Sequence, residues 1–280
     1  MPQPTNKQIQ EYKEKGYIFV DNLFSDQELA EFKEVTGHII KSNIQKAQKK
    51  NPELFTSEDL QDIYTKGLEK LFKYDPQILS IMYDTLWQTP EFLRIQSNKE
   101  AEEIINGLMD RKPSAPLFGY INRCRINLPK ENDMTYGWHQ EIFQTLPDAE
   151  FIQIWAPLIF DASKESGAME ICEGSHKKPI KKPKWDQNKN GHSKIFFDDQ
   201  TASQFDQIVF DLKLGQAALF TGHTLHRSGK NTSNHTRYSL VGLYHNIDDP
   251  NFIPPKYSFE YRNSSPKEYF DSRPNPYKGP

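Results

Sequence analysis

The feature that most constrains this chain is a change of hydrophobic period near residue 115. Before it, Leu29, Phe32, Val35, Ile39, Ile40, Ile44 and Ala47 recur every three or four positions, as one buried face of a helix would. Ser25 or Asp26 is the expected N-cap. Thr56-Ser57-Glu58-Asp59 reads as a capping box, opening a second helix through Leu60, Ile63, Tyr64, Leu68 and Leu71. Asp75-Pro76, with proline at the first helical position, opens a third through Ile78, Ile81 and Met82. After residue 115 short β-prone segments alternate with turn residues. Gly119–Leu128, Phe151–Phe160, Ala168–Cys172, Ala217–Thr221 and Arg237–Tyr244 are the clearest strands. Successive strands without intervening helices favour a sandwich or barrel over a parallel sheet. The expected architecture is mainly β: one domain over residues 1–280, helical over 1–115, an antiparallel β core over 116–247, and a surface tail rich in proline, tyrosine and serine over 248–280.

Composition narrows the function classes. The 35 basic and 38 acidic residues leave a net charge of −3, without the basic excess of a nucleic-acid binder. Met1 to Lys15 is polar and lacks the apolar core of a signal peptide. Apolar runs such as Trp155–Phe160 fall short of the roughly 20 residues needed to span a bilayer. Cys124 and Cys172 form no CxxC pair, and nothing demands an oxidising compartment. A cytoplasmic enzyme acting on a small molecule is expected, with its oligomeric state unspecified.

The histidines carry the chemistry. His139-Gln140-Glu141 is the one place where an acid follows a histidine by two residues. Alone it means little, since eight histidines in so acidic a chain should give about one such pair by chance. In an extended segment, however, that spacing puts both side chains on one face. His226 is the candidate third ligand. Eleven residues beyond it stands Arg237, after the turn-rich stretch Gly229-Lys230-Asn231-Thr232-Ser233-Asn234. This reads as strand, turn, strand, a hairpin that would return Arg237 beside the strand of His226. Two histidines and a carboxylate leave metal positions open, as in non-haem iron(II) oxygenases. A nearby guanidinium suits a carboxylate co-substrate.

Several segments carry a resemblance. Gly137-Trp138-His139-Gln140-Glu141, Gly167-Ala168-Met169-Glu170, Gly174-Ser175-His176, and His226-Arg227-Ser228-Gly229 with Asn231, Ser233 and Arg237 resemble the phytanoyl-CoA dioxygenase family, to which ectoine hydroxylase is related. Gly16-Tyr17-Ile18-Phe19-Val20 through Leu23-Phe24-Ser25 is similar to that family's N-terminal segment. The resemblance implies a double-stranded β-helix, the cupin-like jelly-roll barrel, flanked by helices. It also implies an O₂-dependent reaction in which 2-oxoglutarate becomes succinate and CO₂ while a substrate C–H bond is hydroxylated. It assigns His139, Glu141 and His226 to iron(II), Arg237 to the distal carboxylate of 2-oxoglutarate, Ser228 to an assisting role, and Asn127 to a polar co-substrate contact. The family's acid is usually aspartate, and Glu141 departs from that. Related halogenases carry a small residue there, so Glu141 disfavours halogenation.

The remaining candidates receive plainer readings. His223, on the opposite face to His226 in a strand, is expected to be structural or to support a ligand. His176 is read as a turn residue, His38, His192 and His235 as solvated, and His245 as structural. Cys124 and Cys172 are expected to be inert core thiols. The lysines at 177, 178, 181, 182 and 184 are read as a solvated loop, with an anion-collecting lid as the alternative. Trp138, Trp155 and Trp185 either line a pocket or fill core. Arg123, Arg125 and Asn127 alternate along one strand face, which places Arg125 near the co-substrate or an anionic substrate group. The expected substrate is a small polar or anionic metabolite: a sugar acid, phosphonate or natural-product precursor. The alternatives are an acyl-CoA or lipid and, in another class, a non-catalytic cupin-like metal-binding module.

Overall fold

The computed structural model describes residues 3–131, 135–143, 149–178, 184–187 and 193–252. Most of the expected tail, residues 253–280, lies outside them, as do His192, Lys181 and Lys182.

The N-terminal part is helical, as the period predicts. Helix α1 (Asn6–Lys15) opens on a capping box in which the Thr5 side chain accepts from the Gln8 amide. It hands over directly to strand β1 (Tyr17–Val20). Helix α2 (Asp26–Lys50) is capped by Ser25 and buries Leu29, Phe32, Ile39, Ile40, Ile44 and Ala47. The second expected helix is broken in three: α3 (Ser57–Gln61), a π-helical turn (Ile63–Gly67) and α4 (Leu68–Tyr74). Tertiary bonds account for the break. The Asp62 side chain accepts from the Thr65 amide, the Tyr238 hydroxyl donates to the Tyr64 carbonyl at 2.7 Å, and the Thr236 amide donates to the Thr65 hydroxyl at 3.3 Å. Helix α5 (Ile78–Leu86) starts later than Pro76 because the Asp75 carboxylate accepts from the Gln77 amide, closing a turn first. Helices α6 (Pro90–Gln96) and α7 (Lys99–Leu108), capped by Thr89 and Asn98, went unread in the sequence.

The rest is mostly strand: β2 (Leu117–Asn127), β3 (Phe151–Pro157), β4 (Met169–Cys172), β5 (Lys184–Gln187), β6 (Ser193–Phe196), β7 (Gln207–Val209), β8 (Ala217–Thr221), β9 (His226–Ser228) and β10 (Arg237–Asn246), with a short helix α8 (Asp199–Ala202) after β6. A five-stranded antiparallel sheet has the order β1-β8-β3-β10-β2, and a three-stranded one the order β7-β4-β9; β5 and β6 form a separate ribbon. These are the two sheets of a jelly roll, with no pairing that closes them into a barrel among the described residues.

Alternation along the long strands places the two cores. One face of the five-stranded sheet packs Cys124, Ile126, Ile152, Ile154, Leu219 and Leu240 against the helices. Between the sheets, Tyr17, Trp155, Ile171, Phe210 and Phe220 form a second cluster.

The expected hairpin from His226 to Arg237 does not form. Strand β9 is flanked by β4 on one side and by residues 136–139 on the other, so both of its edges are filled. Strand β10 belongs to the other sheet, between β3 and β2. The turn-rich stretch therefore carries the chain from one sheet to the other, and Arg237 reaches the site from the facing wall.

Candidate active site

His139 and His226 are brought together by backbone pairing. Each amide donates to the other's carbonyl, at 2.8 and 2.9 Å, and the ring centroids stand 4.2 Å apart. Each ring makes the same local bond: Nδ1 lies 2.7 Å from the Gly137 carbonyl in His139 and 2.9 Å from the Thr224 carbonyl in His226. A carbonyl can only accept, so each Nδ1 carries a proton, and it is Nε2 that faces the carboxylate as the atom available to a metal. Burial, and then the neighbouring His139, hold the His226 pKa well below its ordinary value, which keeps that ring neutral.

Glu141 arrives differently from the sequence expectation. Only His139 lies in an extended bridge, and Glu141 opens a 3₁₀ turn over Glu141–Phe143. Its amide donates to the Gly222 carbonyl at 3.1 Å. Gly222 admits no side chain, because a Cβ there would lie 2.0 Å from the Phe151 ring. The turn brings the Glu141 carboxylate to 3.5 Å from His139 Nε2 and 3.8 Å from His226 Nε2. The three donor atoms lie within 4.8 Å of one another, the only such group among the described residues. Two imidazoles and one carboxylate fit a non-haem iron(II) centre with open positions.

A cavity of about 160 Å³ adjoins them, lined by Arg125, Ser228, Arg237 and Ser239 as well as by the triad. Arg237 is buried, and its Nη2 donates to the Asn127 carboxamide at 2.6 Å. Its Nε and Nη1 have no hydrogen-bond partner among the described residues. A buried guanidinium with unsatisfied donors is costly, and a carboxylate within its reach would help satisfy them. Burial and the nearby Arg125 lower its pKa to about 10, so it remains charged at neutral pH. These residues fit 2-oxoglutarate as well as iron.

Strand register explains the placing of the other candidates. Arg237, Ser239 and Val241 on β10 stand opposite Asn127, Arg125 and Arg123 on β2. Arg123 and Arg125 line the cavity, whereas Asn127 touches Arg237 and is not among the lining residues. His223 is half-buried and outside the ligand group. His176 sits in the turn Ser175–Lys177 with Nε2 on the Lys13 carbonyl. His38 and His235 are exposed; His245 is fully buried and stacks on Phe151. Cys124 and Cys172 are free and buried, and burial pushes both thiols up, Cys172 to about 12. Lys177, Lys178 and Lys184 are exposed and do not line the cavity. Trp155 lines it, while Trp138 is buried beneath Arg227, whose guanidinium is 4.5 Å from the ring. The Trp185 side chain lies outside the described residues. The sequence reading missed Gln153, Ser239, Tyr136 and Met169. Gln153 had a signal: a lone amide in the otherwise apolar run Phe151-Ile152-Gln153-Ile154-Trp155.

Residues 12–239 match the family model described as phytanoyl-CoA dioxygenase (PhyH). The chain belongs to this family. It is therefore an iron- and 2-oxoglutarate-dependent oxygenase, and among its described residues no helix is long and apolar enough to cross a membrane. Comparison with curated protein sequences gives no match. Solved structures of similar fold include EvdO2 from Micromonospora carbonacea var. aurantiaca complexed with 2-oxoglutarate (17% identity, 91% of this chain and 95% of that one, TM-score 0.56). The carbocyclase SnoK from nogalamycin biosynthesis is similar at 17% identity, 94% and 92% coverage and TM-score 0.58. EctD from S. alaskensis with bound Fe is similar at 16% identity, 90% and 79% coverage and TM-score 0.57. At these identities the likeness to the three structures is one of fold.

Proposed function

We propose that this family member is a hydroxylase of a small polar or anionic metabolite, in which His139, Glu141 and His226 hold iron(II) and Arg237 takes the distal carboxylate of 2-oxoglutarate. The observation that carries the proposal is the pairing of a three-donor cluster with a buried guanidinium that has unsatisfied donors, across one small cavity. Bound iron and 2-oxoglutarate supply the oxidising chemistry with O₂, yielding succinate and CO₂. The protein's contribution is position. The Gly137 and Thr224 carbonyls hold the imidazoles in the tautomer that presents Nε2. Asn127 orients Arg237 so that its remaining donors meet one end of the co-substrate. Ser228 and Arg125 are assigned to the same subsite, and Trp155, Met169 and Val241 limit access of water to it.

A sugar acid, a phosphonate or a natural-product precursor suits the cavity. An acyl-CoA would have to leave most of its bulk outside about 160 Å³. Two buried free thiols accord with a cytoplasmic location. We take residues 1–280 as a single oxygenase unit.

The test is succinate release by protein supplied with iron(II), 2-oxoglutarate and O₂ alone. Slow release above a metal-free control is expected, and a non-catalytic metal-binding module would give none. Sugar acids, phosphonates, amino-acid derivatives and acyl-CoAs are then screened for faster release and a product one oxygen heavier. A chlorinated product in the presence of chloride would remove Glu141 from the ligand set.

A further inference from the structure

Besides Arg237, two residues that line the cavity bury a polar atom with no hydrogen-bond partner among the described residues: Ser239, through Oγ, and Gln153, through Nε2. They stand at different levels. Ser239 follows Arg237 by two residues on β10, at the co-substrate's end. Gln153 on β3 pairs with Leu243, six residues beyond Arg237. At about 3.4 Å per residue that level lies about 20 Å along the strand.

Gln153 is 1% exposed, and none of the side chains flanking it on the sheet offers an oxygen. Phe151 and Trp155 share its face of β3, Leu243 flanks it on β10, and Phe220 flanks it on β8. An amide donor in such a place costs stability unless a ligand supplies the missing acceptor. The position is also close to the metal ligands, because the Phe220 ring stands 5.1 Å from that of His226. The two ends of 2-oxoglutarate are assigned to Arg237 and to iron, so this donor is left for the third reactant.

We infer that Gln153 determines specificity: its Nε2–H donates to a carbonyl, ether or hydroxyl oxygen that the substrate carries close to the carbon to be oxidised. The inference rests on the reaction proposed above and narrows its substrate. Trp155, Met169 and Val241 give the cavity apolar walls, so the part of the substrate held there is a carbon skeleton bearing an isolated oxygen function. An unsubstituted alkyl chain would leave the donor unmet.

The test is NMR on the full chain, loaded with diamagnetic zinc(II) and saturated with 2-oxoglutarate, following the side-chain amide signals of Gln153. Cyclohexanone, tetrahydropyran and cyclohexanol present a carbonyl, an ether and a hydroxyl oxygen on one ring size. Methylenecyclohexane has the shape of the ketone without its oxygen. At least one oxygenated ring should shift the Gln153 signals saturably, and methylenecyclohexane should bind about three- to tenfold more weakly, as loss of one neutral hydrogen bond requires. The ring that binds best names the oxygen function. Gln153→Leu, followed through its backbone amides, should lose that preference, and Gln204→Leu, at an exposed glutamine, should keep it. Should Gln153→Leu not fold, Gln153→Met, closer in shape, is read in its place with the same loss expected. Gln153 signals unmoved by every ring, equal binding of methylenecyclohexane, or a preference that survives in the variant overturns the inference. So does a shift of these signals by 2-oxoglutarate alone together with weaker 2-oxoglutarate binding in the variant, which would hand the amide to the co-substrate. Substrate-free succinate release reads the underlying reaction separately, so the two proposals fail independently.

Discussion

The five-stranded sheet includes strands of eleven and ten residues, β2 and β10, with one face buried under the helices. The three-stranded sheet has strands of four, three and three residues, yet it carries His226 and pairs with His139. In the long strands a position is fixed by many ladder bonds and by a continuous apolar face. Arg237 is held there with Asn127 as its one side-chain hydrogen-bonded partner among the described residues. In the short strands position rests on a few named bonds: the mutual amide–carbonyl pair and the two imidazole-to-carbonyl contacts. The contrast separates function from stability. The two histidines at the small sheet can be changed with loss of chemistry and little loss of fold, whereas the large sheet couples the two.

The largest effect should come from the small sheet. His139→Ala and His226→Ala are each expected to abolish turnover and weaken iron(II) binding by more than the 10- to 100-fold (about) that follows loss of an orienting partner. Their unfolding midpoints should stay close to that of the parent, while His223→Ala should keep both metal and turnover. Metal titration with parallel urea denaturation checks this. If His223→Ala lost the metal and His226→Ala kept it, the ligand assignment would be wrong.

Next in size is a pH effect in the large sheet. His245, fully buried on β10 among the rings of Phe118, Phe151 and Phe252, has its pKa lowered to about 4 by burial. Its folded pKa lies below its unfolded one, so the unfolded chain binds the proton first. Stability is therefore full above pH 6.5 and falls as pH drops from 6.5 towards 4, by about 3 kcal/mol from this group alone. His245→Phe should flatten that part of the profile, and His226, shifted the same way, accounts for some of what remains. Urea unfolding from pH 4 to 7 measures it. Identical slopes in variant and parent would show that His245 does not titrate on unfolding.

The smallest effect is expected at Arg237→Lys, which keeps the charge and loses the fork. The 2-oxoglutarate concentration for half-maximal rate should rise by an amount equivalent to about 1.5–3 kcal/mol at most, with iron affinity retained. An unchanged requirement in Arg237→Ala would move the carboxylate site, with Arg125 the next candidate.

Much of this was legible where one local rule governs. Strand β8 matches its expected limits, Ala217–Thr221, and the Arg123, Arg125, Asn127 alternation holds because β2 is long enough for its period to be unambiguous. Ser25 and Thr56 cap as read. The reading failed where distant parts decide. The π turn at Ile63–Gly67 answers to Tyr238 and Thr236, far along the chain. The hairpin from His226 to Arg237 was excluded by strands already occupying both edges of β9, which local turn chemistry cannot reveal. Glu141 reaches its neighbours through a 3₁₀ turn rather than an extended segment. The donor cluster was foreseeable because its members are rare residue types in matching motifs; Ser239 and Tyr136 are common ones, placed only by the fold.

The reciprocal amide–carbonyl bonds between His139 and His226 have a consequence for the life history of the protein. Sites assembled from separate loops need their metal in order to fold, and the ion's affinity is then spent on ordering the chain. Here main-chain pairing has already juxtaposed the two imidazoles, so iron enters a finished socket. Chelation should leave a folded, reloadable protein.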